Sequence, residues 1–411
     1  MVTRNADLAN WQEPEGMNKA GFGFWKTPKS PYDLFMEAQG FEIHRDIGVR
    51  RIQDLPLKPV KRLGGNGVAI QLLGTEHLWG MYVIEVPAGG ALHPEKHMYD
   101  KIVYVAEGRG STEVWHESST KKQTFEWSAG SLFGIPLNAT HRIVNATSSP
   151  ALLLCGTTAP NIVNLIRDPE FIFNNPYEFK NLFDAEDDYF KPVDDVFADP
   201  VRGLAMRRTN VIPDIVNCHL PRDNRRSFSY RRVEPHMAGA NMYMKIGQYE
   251  TGQYSKAHKH SSGAILVCIK GKGYSVTWPS QLGEHPFESG HGDEVRRQDY
   301  EPVGMISAAP MTGDWFHQHF GTSPGGIRFL IFDGPYGPGI KPGKAPGSDA
   351  RDGGAQDTRD GGNAIAFPDQ DPAIRTEFER MIGLEGLEST MPEWAYTDYA
   401  PPPGAADVGG F

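Results

Sequence analysis

Two histidine pairs constrain this chain more than any other feature: His258-Lys259-His260 and His317-Gln318-His319. In a β-strand alternate residues share a face, so each His-x-His aims two imidazoles the same way. Two such strands facing each other inside a barrel gather three or four neutral nitrogen donors around one divalent metal. His258, His260 and His317 are the expected ligands, with His319 the alternative to His317. The competing reading is a set of structural histidines in a barrel without metal, and two alternating pairs are hard to explain as filler.

With 411 residues the chain is too long for one ordinary core, and two domains plus extensions are expected. Its 46 glycines and 32 prolines suit many short strands joined by tight turns. A net charge of −10 argues against nucleic-acid or anionic-membrane partners. No apolar run approaches bilayer-spanning length, and the N-terminal residues lack the apolar core of a secretory signal. Cys155, Cys218 and Cys268 lie far apart and read as buried, reduced thiols, so a cytoplasmic location is expected.

Residues 1–60 read as an extension holding a short helix, capped by Ser30, begun by Pro31 and ended by Gly40. Strand-like runs over 61–165, such as 79–86, 102–106, 111–115 and 151–155, predict an all-β barrel. Residues 166–235 carry no clear period and are expected to cross between barrels. A second strand-rich block, 236–335, contains runs at 242–249, 264–269, 274–278 and 327–332. Residues 336–411 read as a linker and tail around one helix, with Asp371 as N-cap, Pro372 at N1 and Gly383 as the stop. Phe378, Met381 and Ile382 share a face of that helix, which is expected to dock on a barrel or a neighbouring subunit.

The two blocks repeat weakly. The first reads Gly89, five residues, Glu95-Lys96-His97, three residues, Lys101, six residues, Gly108. The second reads Gly252, five residues, His258-Lys259-His260, three residues, Ala264, six residues, Gly271. A second motif runs Gly130, five residues, Pro136-Leu137-Asn138, two residues, His141, three residues, Asn145, and is stretched in the second block from Gly304 and Pro310 to His317. These spacings resemble the two motifs of the cupins. The resemblance implies an all-β bicupin, two double-stranded β-helix (jelly-roll) barrels with helical N- and C-terminal extensions.

In the second barrel Ala264 stands where cupins place a glutamate ligand. Three neutral imidazoles then leave the full charge on the ion and open coordination positions for a chelating anion and O2. In the first barrel Glu95, His97 and His141 form a possible second metal site, but Lys101 stands at the glutamate position and would repel a cation. The alternative there is a Lys101–Glu95 ion pair plugging an empty barrel.

The stretch Ala257–Ala264, with Gly271-Lys272-Gly273 and Trp315-Phe316-His317-Gln318-His319, is similar to the metal motif of the gentisate and salicylate 1,2-dioxygenases. That resemblance implies a three-His Fe(II) dioxygenase cleaving a hydroxylated aromatic or enolic substrate, a role in aromatic compound catabolism, and His319 beside the substrate. Mn, Ni, Zn or Cu are the alternative metals. That family's carboxylate-clamping arginine corresponds to Leu266, leaving Arg231, Arg232 or Arg328 as substitutes. Tyr243, Trp278, Trp315 and Arg328 are the expected pocket residues, joined by Phe316 and Phe320, with ordinary core packing the competing reading for each aromatic. Tyr249 or Tyr254 are candidate proton donors. Small-molecule substrate, O2 and a homo-oligomer, dimer or tetramer, are the expected partners. The competing functions are a non-oxidative lyase, isomerase or decarboxylase, and a non-catalytic binding protein.

Overall fold

The computed structural model describes residues 29–198, 205–223, 230–260, 263–310, 314–335 and 357–397. Among these, strands build two eight-stranded and two four-stranded sheets, one of each per barrel. The fold is an all-β bicupin. In each barrel the large sheet faces the small one across a filled interior.

Strand alternation decides what fills each space. In the Lys101–Glu107 strand, Lys101, Val103 and Val105 point into the first barrel while Ile102 and Tyr104 point out. The outward residues are equally buried, because the two large sheets pack against each other through their outer faces. Ile102, Leu152 and Leu154 share that layer with Ile246, Val267, Leu330 and Phe332. Trp79 stacks on Phe332 at 5.7 Å and donates to the Gly263 carbonyl at 2.8 Å. This two-sided burial is why Ala151–Thr157 reads as a continuous apolar run rather than an alternating one.

The extensions are more deeply woven in than separate extensions would be. Ile43–His44 joins the first large sheet, whereas Gly48–Val49 pairs with Met305–Ser307 of the second. Val211–Ile212, in the crossover region, adds an edge strand to the first barrel. The Pro31–Ala38 helix is capped by the Ser30 hydroxyl, which accepts from the Asp33 N–H at 3.1 Å. The expected linker before residue 357 lies outside the described residues.

The helix Pro372–Gly383 begins where Asp371 accepts from the Ala373 N–H. It buries Ile374, Phe378 and Ile382 on the outer face of the second small sheet, against Tyr274, Trp278, Phe316 and Phe320. Met381 packs at the margin of that layer. A face that sheets of this kind often leave to solvent is thereby dry. No described helix is long and apolar enough to cross a membrane.

Candidate metal centre

The second small sheet presents the histidines. His258–His260 and Trp315–Gly321 lie side by side in one sheet, antiparallel, with His258 opposite His317 and His260 opposite Trp315. The sequence places the pairs on facing walls; instead the imidazoles converge from neighbouring strands. Directly opposed residues are the closest a sheet offers, which is how two His-x-His strands make one cluster. The His258–His260 strand is clamped on its other edge by the C-terminal segment. The Lys259 N–H donates to the Asn363 carbonyl at 2.9 Å, and the Ile365 N–H to the Ala257 carbonyl at 2.8 Å.

One ligand atom from each of His258, His260 and His317 lies within 4.8 Å of the others. His258 Nε2 and His317 Nε2 are 3.0 Å apart. Both Nδ1 atoms face a backbone carbonyl two residues away, Lys256 at 3.4 Å and Trp315 at 3.3 Å. A carbonyl only accepts, so these contacts suit rings protonated at Nδ1, with each Nε2 left to take a metal or a proton. A contact of that length is met by a shared proton or by a cation, and the third imidazole converging on the pair favours the cation. Nitrogens ~2.1 Å from a shared ion and at right angles stand about 3 Å apart. The donor set therefore fits a divalent metal, and three imidazoles suit a borderline transition ion.

His319 shares the inward face, its ring centroid 5.4 Å from that of His317 and 5.7 Å from that of Phe329. Its Nδ1 meets Ser275 Oγ at 2.6 Å, and Ser275 Oγ lies 3.0 Å from Tyr300 Oη. Tyr300 Oη donates to the Tyr274 carbonyl at 3.1 Å. Its single proton is thus committed, so Ser275 donates to Tyr300 and accepts from His319 Nδ1–H. Every member of this fully buried chain is satisfied in that one direction. Ser275 escapes a reading that looks for aromatics and histidines, and Tyr300 lies outside the strand runs legible in the sequence. The available signal was the alternation Tyr274-Ser275-Val276-Thr277-Trp278, whose small polar residues face inward.

The remaining pocket candidates divide by face. Trp315 stands on the histidine face beside His260. Trp278 does not: it packs outward against Phe316 and the C-terminal helix, with its indole N–H donating to Gly283. Phe316, Phe320 and Tyr254 belong to that same outer layer. Arg328 is also turned away, donating to the Ile215 and Cys218 carbonyls at 2.9 and 3.0 Å and to Gln248. The error is one of parity, since adjacent strand residues point to opposite faces. Arg232 faces inward but is ion-paired with Asp223 and Glu234, and Arg231 pairs with Glu250. Tyr243 donates to Glu234. Tyr249 stacks on Tyr230 at 4.7 Å in the apolar interior, with Ala264, Leu266 and Phe329 in the same cluster.

In the first barrel, ligand atoms of Glu95, His97 and His141 also fall within 4.8 Å of one another. Lys101 Nζ sits among them, 2.7 Å from Glu95 Oε1 and 3.1 Å from His141 Nε2. Arg62 pairs with the other Glu95 oxygen. Burial alone would raise the Glu95 carboxyl, but Lys101 and Arg62 hold it well below the usual range. Burial pushes the His97 and His141 imidazoles down, keeping both neutral. A divalent ion ~4 Å from the Lys101 ammonium would meet about 8 kcal/mol of repulsion at an effective dielectric of ~20. The three cysteines are free, but only two are fully buried: Cys218 is half-buried, whereas burial raises Cys155 to about 11 and Cys268 to about 12, as inert thiols require.

The family described as Cupin domain matches residues 82–156, within the first barrel. No curated protein matches. Among solved structures the chain is similar to an oxalate decarboxylase from Lactobacillus farciminis in complex with formate, at 12% identity and a TM-score of 0.44, covering 70% of this chain and 86% of that one. It is likewise similar to a point variant of the Bacillus subtilis oxalate decarboxylase, at 12% identity and a TM-score of 0.42, covering 69% and 76%.

Proposed function

We propose that the protein is a metal-dependent enzyme acting on a chelating, anionic small molecule at His258, His260 and His317. The observation that carries this reading is the convergence of one ligand atom each from His258, His260 and His317 within 4.8 Å of one another, with the His258 and His317 Nε2 atoms 3.0 Å apart. The metal would supply an open, fully charged Lewis-acidic centre, because Ala264 adds no carboxylate. The chain does the rest. His258 and His317 are oriented by the Lys256 and Trp315 carbonyls. Tyr249, Leu266 and Phe329 exclude water from the interior. His319, with its Nδ1 proton held by Ser275, offers Nε2 to the bound molecule.

Two reaction types suit this arrangement. Insertion of O2 into a hydroxylated aromatic or enolic substrate, with Fe(II), is supported by the neutral ligand set and the apolar interior. A non-oxidative lyase, isomerase or decarboxylase is supported by the buried His319–Ser275–Tyr300 chain, which is suited to hold and return a proton. Metal-reconstituted protein is to be screened against catechols, hydroxybenzoates, β-diketones and small dicarboxylates while O2 is followed. Uptake of O2 in step with substrate loss identifies the first; turnover without O2 uptake identifies the second. Metal content unaffected by His258→Ala and His317→Ala would end both.

A further inference from the structure

The first barrel repeats the metal-site geometry with one change, and that change has a consequence for what the barrel can bind. His97 Nδ1 faces the Tyr99 carbonyl at 2.8 Å and His141 Nδ1 the Ala139 carbonyl at 3.4 Å. This is the orientation found at His258 and His317, and it leaves Nε2 of both rings as lone pairs. His141 Nε2 accepts from Lys101. His97 Nε2 is buried and makes no hydrogen bond, in a side chain only 1% exposed. Glu95, bridged to His141 through the backbone, completes a set of two imidazoles and one carboxylate. Such a set is built for a cation, and the cation present is covalent: the ammonium of Lys101, 1% exposed, contacts two of the three donors.

We propose that Lys101 is the resident cation of the first barrel, standing in a place shaped for a divalent metal, so that metal binding there is latent and released by one substitution. The ligand class is a borderline divalent transition ion, as two imidazoles with one carboxylate require. In the chain as it stands, metal binds in the second barrel alone. The proposal does not rest on the activity of that second site.

The test removes the second site by His258→Ala with His317→Ala and uses Co(II) as the probe. Bound metal is read by equilibrium dialysis and by the visible ligand-field spectrum. With Lys101 intact, no cobalt is retained. Lys101→Glu, which restores the fourth cupin ligand, and Lys101→Met, which is uncharged and of similar length, each gain a cobalt per chain. His97→Ala abolishes that gain. If the double-alanine background does not fold, the same Lys101 variants in the otherwise intact chain gain a cobalt over their parent. A variant unfolded without cobalt and restored by it also supports the proposal, because the ion then does the work of the ammonium. Cobalt held with Lys101 present and lost on His97→Ala overturns it. So do folded Lys101 variants that take up none, or unfolded ones that cobalt does not restore.

Discussion

Ser275→Ala is the sharpest probe of the second barrel, because it removes one hydroxyl and touches no proposed metal ligand. Ser275 is 0% exposed, so water has no route to replace the hydroxyl. The variant strands His319 Nδ1–H, which now donates at 2.6 Å, while Tyr300 keeps its bond to the Tyr274 carbonyl. One buried donor left unsatisfied costs about 1–3 kcal/mol. The functional loss should be larger than this suggests, because a side chain that orients a site imidazole is typically worth about 10–100-fold in activity. Tyr300→Phe makes the comparison. It leaves the His319–Ser275 bond in place, so its turnover should fall less than that of Ser275→Ala. Urea unfolding gives the stability term, metal analysis confirms that the ion is retained, and the rate on the identified substrate gives the third reading. A Ser275→Ala protein that matches the parent within ~0.5 kcal/mol and in turnover would refute the assigned chain. Loss of the metal in that variant would refute it equally, since it would place Ser275 among the supports of the ligands.

Phe378→Ala empties the layer between the C-terminal helix and the second small sheet and should cost about 3–5 kcal/mol, read as a lowered urea midpoint. Because that helix backs the strand carrying His317, metal affinity should fall with it, measured by chelator competition. Removing metal from the parent chain should lower the thermal midpoint, and restoring it should raise the midpoint in proportion to the logarithm of free metal. His97, held neutral by burial, makes stability depend on pH. Below its ordinary value of 6.5 the unfolded chain binds a proton that the folded chain refuses, so stability falls as pH falls from that value. His97→Gln should flatten part of this slope between about pH 5 and 7, checked by urea midpoints across that range.

Much of the architecture is legible in residues, and the places where legibility ends share a cause. The 242–249 run is a strand over the same residues, Met242–Tyr249, because strand alternation and a bounding glycine agree there. The helix after Asp371 is equally plain, since cap, proline and apolar face coincide. What fails is assignment of face. Trp278 and Phe316 look like pocket aromatics because they neighbour Thr277 and His317, yet the outer side of that sheet is itself buried by a helix nearly a hundred residues later. Once both faces are dry, hydrophobicity no longer reports which one is the interior. Arg328 fails in the same way: its outward face is covered by Ile215 and Cys218 rather than by solvent. Short strands such as Gly48–Val49 pair across hundreds of residues and leave no local signal. The histidine pairs are less exposed to this difficulty, because an i, i+2 spacing in a strand by itself puts both imidazoles of a pair on one face.

One aligned position divides the two barrels. Lys101 and Ala264 occupy the place of the cupin glutamate, each between a donor pair and a final glycine. A glutamate there would give each barrel a ligand of negative charge and a metal of reduced acidity. Lysine supplies the positive charge itself, neutralises Glu95 and leaves a packed interior with no call for an ion. Alanine supplies nothing, so the second barrel keeps three converging imidazoles, the donor set proposed above to hold a cation with exchangeable positions. The duplicated scaffold thus holds its interior polar groups in two ways. The way that depends on an added ion is also the one that leaves coordination sites for chemistry. That is why reactivity is assigned to the barrel whose motif has lost its charge and stability to the one whose motif has reversed it.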